Sequence, residues 1–207
     1  MRGRFGESIF YFQGGRKKVS TVRHALFRRF GEDCVEKMVD WALENVPIPS
    51  HPQILEIGSG NGTLLFALRD AGYAAPHLRG IDYSPDAVRL ARMVARTRNS
   101  EQIAFHVCDF LSELPVPPPP LPPAASGQQL EADALRSWDL LLDKGTYDAI
   151  ALGEKDGSGG PSVAAYPLRA SKLLRENGYL LITCKPQDDL NPLGDHWPQL
   201  AISQKRS

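Results

Sequence analysis

The sequence predicts an α/β fold, a mostly parallel sheet with helices on both of its faces. Three observations predict it. Short apolar runs alternate with segments of helical periodicity between residues 33 and 184. A glycine-rich turn follows the first apolar run directly. A carboxylate then stands at the end of each of the next three runs. Strand–helix alternation at this spacing is the pattern of parallel strands joined by helical crossovers.

From Asp33 to Leu43, Val35, Met38, Val39, Ala42 and Leu43 recur at helical spacing, and Pro47 and Pro49 stop the run. Gln53–Ile57 is a short apolar strand that enters Gly58-Ser59-Gly60-Asn61-Gly62. Thr63 to Ala71 reads as a helix closed by Gly72, and His77 to Asp82 as a second strand. Ser84 is a helix N-cap with Pro85 at the first helical position, opening a helix to about Arg96. Ile103 to Cys108 alternates as a third strand. Seven prolines then fall within residues 115–123, ahead of a polar stretch, so about 113–136 is read as a Pro-rich insertion forming a surface loop. Trp138–Leu142 resumes as a fourth strand, a helix is expected near Ser162–Arg175, and Tyr179–Cys184 is a fifth strand.

The chain has 207 residues, enough for one domain, with 42% apolar and 23% charged residues. No apolar stretch approaches the ~18 residues of a membrane span, and no membrane partner is expected. The 24 basic and 24 acidic residues cancel, which argues against a general nucleic-acid binder. The cancellation is uneven: residues 1–30 carry eight basic residues and one acid, and residues 31–207 carry 16 and 23. Residues 1–30 are therefore read as a basic flexible arm. An Arg-rich transit peptide is the competing reading, opposed by Gly3, Gly6, Gly14 and Gly15. Cys34, Cys108 and Cys184 form neither a disulfide framework nor a zinc pattern, and the five histidines have no ligand spacing, so no metal is expected. That cysteine usage suits a reducing compartment.

Open parallel sheets bind ligands beyond the carboxyl ends of their strands. Glu56 and the glycine turn lie at the first such end, Asp82 at the second, Asp109 at the third and Asp143 at the fourth. Carboxylates so placed are costly unless a ligand or a helix terminus satisfies them. Glycines allow close backbone approach, and an acid some twenty residues on accepts from a ribose diol. The turn is G-x-G-x-G, whereas the dinucleotide fingerprint is G-x-G-x-x-G. Glu56 suits an ammonium group better than a pyrophosphate. The pattern favours S-adenosyl-L-methionine, a cation without phosphate, on a Rossmann-like sheet.

These segments resemble the seven-β-strand (class I) methyltransferases. More narrowly, the chain is similar to the eukaryotic protein-lysine methyltransferases that modify translation elongation factor 1-alpha, related to methyltransferase-like protein 10. The segments that carry the resemblance are Phe30–Asp33, Leu55–Gly62, Gly80–Pro85, Asp109-Phe110, Asp143–Ile150 and Gly178–Cys184, spanning roughly residues 30–184. Asp143-Lys-Gly-Thr146 discriminates best, because nucleobase and glutamine methyltransferases typically carry an Asn/Asp-Pro-Pro-Tyr-like run there. The resemblance implies that Glu56, Gly58, Ser59, Gly60, Asn61 and Gly62 line the methionine and ribose side. It implies that Asp82 accepts the ribose hydroxyls beside Tyr83, that Asp109 accepts the adenine amino group beside Phe110, and that Asp143 faces the methyl group and the incoming lysine. Capping of the following turn is the competing role for Asp143.

Both ends depart from that pattern. Arg29 stands where the family carries a tryptophan, and residues 185–207 hold three prolines and no strand-like run. The expected chain is thus an atypical N-terminus, a methyltransferase domain over 31–184, and an irregular tail over 185–207. The C-terminal antiparallel hairpin of the family would be missing, leaving the fifth strand as an exposed edge. The expectation is a cytoplasmic, monomeric enzyme that methylates a lysine of elongation factor 1-alpha, with no nucleic-acid partner. The alternatives are a methyltransferase for a small molecule or another protein side chain, and a non-catalytic cofactor-binding remnant.

Overall fold

A computed structural model describes residues 8–13, 16–20, 32–118, 138–152 and 165–184. The elements in chain order are β1 (Ser8–Gln13), β2 (Arg16–Ser20), α1 (Glu32–Asn45), β3 (Ile54–Ile57), α2 (Thr63–Asp70), β4 (Leu78–Asp82), α3 (Pro85–Thr97), β5 (Ala104–Val107), β6 (Trp138–Lys144), α4 (Thr146–Leu152), α5 (Tyr166–Leu173) and β7 (Leu174–Cys184). One seven-stranded sheet runs β2-β1-β7-β6-β3-β4-β5. The five strands from β3 to β7 are parallel, while β1 runs antiparallel to β7 and β2 antiparallel to β1. This is the expected α/β architecture with two strands added at one edge.

Successive strand residues point to opposite faces, and both faces here are apolar. Ile54, Leu140, Leu142 and Leu181 join one buried cluster with Met38 and Ala42 of α1, Leu64 and Leu68 of α2, and Val88 and Ala91 of α3. Leu55, Leu141, Leu180 and Ile182 join a second cluster with Tyr147 of α4 and Tyr166, Ala170 and Leu173 of α5. Strands buried on both sides read as nearly continuous apolar runs, as Leu140–Leu142 and Tyr179–Ile182 do. The N-cap reading of α3 holds: the Ser84 side chain accepts from the Ala87 N–H at 3.3 Å, with Pro85 at the first helical position.

Three expectations need correction. Residues 8–13 and 16–20 are strands, so the flexible arm expected over 1–30 does not describe them. Consequently β7 is not an exposed edge. Ser8 to Phe12 pair with Cys184 to Leu180, so an antiparallel hairpin does cover β7, supplied by the N-terminal segment. The helix expected to run to Arg175 ends at Leu173, and β7 begins at Leu174 because that residue already pairs with Trp138. A register shift between Trp138 and Leu140 then accommodates Asn177, whose φ is 63°. The helix α4 was not expected. Most of the Pro-rich insertion, the start of the helix expected from Ser162, and the tail over 185–207 lie outside the described residues.

Candidate functional site

The predicted residues converge at the carboxyl ends of β3, β4, β5 and β6. The turn after β3 has φ values of 69°, 53° and 82° at Gly58, Gly60 and Gly62, a left-handed sequence that side chains disfavour. Its backbone is fixed from β4: Ser59 N–H donates to the Ile81 carbonyl at 2.9 Å, and Gly60 N–H to Asp82 Oδ2 at 2.9 Å. Asp82 Oδ1 accepts from Ser84 N–H at 2.9 Å. The Asp82 carboxylate therefore joins the glycine turn to the start of α3, leaving each oxygen one further lone pair for a ligand. Asn61 Oδ1 accepts from the Thr63 hydroxyl at 2.7 Å and steadies the first turn of α2. The Ser59 hydroxyl is buried without a hydrogen-bond partner.

Glu56 is the anomaly of the site. It is 1% exposed, and neither carboxylate oxygen has a hydrogen-bond partner. Burial pushes its pKa up to about 8, helped by Asp143 and Asp82 and opposed by the Lys144 ammonium. A buried carboxylate left unpaired is expensive in either protonation state. A cation delivered to the turn would satisfy it.

At the end of β5, Asp109 is exposed and shapes its own loop, accepting from Leu111 N–H at 3.0 Å and the Ser112 hydroxyl at 2.7 Å. The Phe110 ring is buried and stacks edge-on against Tyr166 at 4.8 Å between centroids. Arg169 binds the Phe110 carbonyl through Nε and the Glu113 carbonyl through its other arm. Tyr83 is 79% exposed beside the turn, free to meet a flat ligand.

Asp143 does not face outward. It is fully buried, and its carboxylate accepts from Thr146 N–H at 2.6 Å, Tyr147 N–H at 2.9 Å and the Tyr166 hydroxyl at 2.5 Å. It caps α4, the competing role weighed above. At 0% exposure, with these bonds on the inner side of the turn, it shows no surface that an incoming lysine could touch in this arrangement. Burial raises its pKa to about 6, and its hydrogen bonds restrain that rise.

Sequence reasoning missed Thr146, Tyr166 and Arg169. The Thr146 hydroxyl donates to the Ile57 carbonyl at 3.0 Å, and a Cβ on Gly58 would lie 1.8 Å from that same oxygen. Thr146 lies within the Asp-Lys-Gly-Thr run, so its position carried a signal. Tyr166 and Arg169 sit in an unremarkable helix. Among the described residues, no group of three or more His, Cys, Asp or Glu residues could hold a metal ion, and no helix is long and apolar enough to cross a membrane.

The fold is that of the class I methyltransferases. Solved structures share the architecture: coclaurine N-methyltransferase bound to N-methylheliamine and SAH (13% identity, TM-score 0.50, 77% of this chain and 38% of that one). The CcbJ methyltransferase from Streptomyces caelestis matches at 16% identity and a TM-score of 0.50, over 73% of this chain and 49% of that one. A family model described as a methyltransferase domain matches residues 48–197, and the chain belongs to that family. Relatives include protein-lysine N-methyltransferase efm4 of Schizosaccharomyces pombe, 32% identical over 74% of this chain and 63% of the relative. EEF1A lysine methyltransferase 2 of Danio rerio is 31% identical over 74% of this chain and 56% of its own length. Citrate synthase-lysine N-methyltransferase, mitochondrial, of Homo sapiens is 30% identical over 60% of this chain and 49% of its own length. The chain thus spans about half to two thirds of these relatives.

Proposed function

We propose that this chain is an S-adenosyl-L-methionine-dependent protein-lysine N-methyltransferase whose substrate is translation elongation factor 1-alpha. The single observation that carries the cofactor reading is Glu56, a buried, unpaired carboxylate under a left-handed glycine turn. Its chemistry fits a cationic amino-acid moiety and opposes a pyrophosphate. The glycine turn and Glu56 would hold the methionine and ribose portion, Asp82 the ribose hydroxyls, and Tyr83, Asp109 and Phe110 the adenine. The relatives named EEF1A lysine methyltransferase 2 support the substrate, and efm4 supports a protein lysine as the acceptor.

The cofactor supplies an activated methyl group on a sulfonium. An attacking lysine must be neutral, and with an ordinary pKa near 10.4 only about one in 2,500 is neutral at pH 7. What the chain must contribute is alignment of the amine and removal of water from it. Asp143 serves that alignment indirectly, by holding the turn that begins α4. The cysteine usage and the likeness to EEF1A methyltransferases favour a cytoplasmic enzyme.

A second reading, methylation of a different protein lysine, is favoured by the likeness to the citrate synthase-lysine enzyme. Isothermal titration with S-adenosyl-L-methionine, followed by tritiated-methyl transfer to purified elongation factor 1-alpha and to citrate synthase, separates the readings. We expect micromolar binding and label on elongation factor. Label on citrate synthase alone selects the second reading, and binding without label on any protein selects a non-catalytic cofactor-binding remnant. Absence of binding removes the cofactor assignment.

A further inference from the structure

Tyr166 is the first residue of α5, and it is entirely buried. Its hydroxyl donates to Asp143 Oδ2 at 2.5 Å. Its ring packs edge-on against Phe110 at 4.8 Å and against Tyr147 at 5.4 Å. One side chain therefore touches the loop after β5 and the turn after β6. From Asp143 the connection continues. Oδ1 holds Thr146 N–H, the Thr146 hydroxyl holds the Ile57 carbonyl, and Gly58 occupies space in which a Cβ would collide with Thr146.

We propose that Tyr166 is a positioning residue for methyl transfer, setting the turn after β6 against the glycine turn and the Phe110 loop through its hydroxyl on Asp143. The inference rests on the methyltransferase reading and deepens it. A tyrosine needed only for packing would fill the same space as phenylalanine. Here the hydroxyl is spent on a carboxylate whose two other acceptor contacts are both backbone N–H groups of α4. Hydrogen bonds to a charged acceptor are among the stronger ones, so the Asp143 anion is what Tyr166 stabilises. The titratable groups around Asp143 are Glu56 from β3, Tyr147 and Asp148 from α4, and Tyr166 from α5. The Tyr166 phenol is raised well above its ordinary value by burial and by Asp143, so it remains a donor across the working range.

The test is Tyr166→Phe, which keeps the ring and removes one oxygen. Cofactor affinity by titration should stay within about threefold of wild type, whereas kcat at pH 7 should fall about tenfold, the scale of one lost charge-assisted hydrogen bond. The decisive readout is the ratio of variant to wild-type kcat against pH, in which the ionisation of the substrate lysine cancels. Without the hydroxyl, Asp143 protonates at higher pH, so the ratio should be lowest near pH 6 to 7 and recover toward pH 9. A flat ratio, or unchanged kcat, overturns the proposal. If Tyr166→Phe melts below the assay temperature, Asp143→Asn keeps the shape and removes the charge. Its rate relative to wild type must then fall as pH rises above about 6, and a constant ratio overturns the proposal equally. Wild-type protein that binds no cofactor, or transfers no methyl group, refutes the functional reading instead, so the two failures are distinct.

Discussion

Glu56 is a buried carboxylate with no hydrogen-bond partner on either oxygen, and two measurable properties follow. Its folded pKa is raised from 4.5 to about 8, so the folded chain holds a proton that the unfolded chain has released over that interval. The associated stability is complete below about pH 4.5 and is lost as pH rises through 8, at up to about 1.4 kcal/mol per pH unit. Denaturant titrations at pH 5 and pH 8 should show that fall, and Glu56→Gln should remove most of it while weakening S-adenosyl-L-methionine at least about tenfold. A variant that binds normally would show that Glu56 does not meet the cofactor. Uptake of a cation should also expel the proton, so binding enthalpy near pH 7 should vary with the ionisation enthalpy of the buffer. Gly58 predicts a steric outcome. Alanine there would bring Cβ to 1.8 Å from the Thr146 hydroxyl at a φ of 69°. Gly58→Ala should lower stability by about 2–4 kcal/mol in thermal or urea unfolding and abolish cofactor binding. The neighbouring Gly60→Ala meets nothing within 4 Å and should cost less.

Among the elements, those with local signals were legible. Ser84-Pro85 announces α3 because an N-cap and a first-position proline act within one turn of the chain. The central parallel strands β3, β6 and β7 are legible because both faces are buried, which makes them mostly apolar runs, and the edge strand β5 is legible by its alternation. Helix α4 was not, since it is short and its cap, Asp143, was read for chemistry before geometry. The β1–β2 hairpin was missed for a different reason. Gly14 and Gly15 break a helix, but two glycines between extended runs equally suit a hairpin connection, and Gln13 pairs with Arg16. At the site, the carboxylates and glycines were visible as a pattern at strand ends. Tyr166 was not, because its importance comes from contacts with Asp143 and Phe110, distant in sequence. The hairpin itself carries a prediction. Tyr11→Pro, mid-strand in β1, removes one ladder N–H and places a ring where the extended strand must pack, which should loosen β1 from the sheet and expose the outer edge of β7. We expect lowered thermal stability and concentration-dependent association in size-exclusion chromatography, with cofactor affinity at low concentration retained. Unchanged melting would mean that β1 contributes little to the sheet.

At the scale of the whole molecule, zero net charge conceals a polarity. Residues 1–30 are net basic and 31–207 net acidic, eight against one and 16 against 23. An acidic body would attract the lysine-bearing substrate proposed above over a distance set by the Debye length, about 8–10 Å at ordinary ionic strength. Raising salt from about 50 to 300 mM should therefore lower kcat/KM for a protein substrate several-fold and leave kcat nearly unchanged. Equal sensitivity of both constants would locate the charge effect in the chemical step. The pairing of Ser8 with Cys184 has a consequence in time. During synthesis β1 must wait for β7 before it can join the sheet, and a lone two-stranded ribbon is marginal in water. Strands β3 to β6, whose carboxyl ends form the candidate site, are all made before β7. A ribosome-bound intermediate could thus hold its cofactor site while the far edge of the sheet is still open. Closing that edge, a contact across nearly the whole described chain, is the step whose loop entropy should set the folding rate.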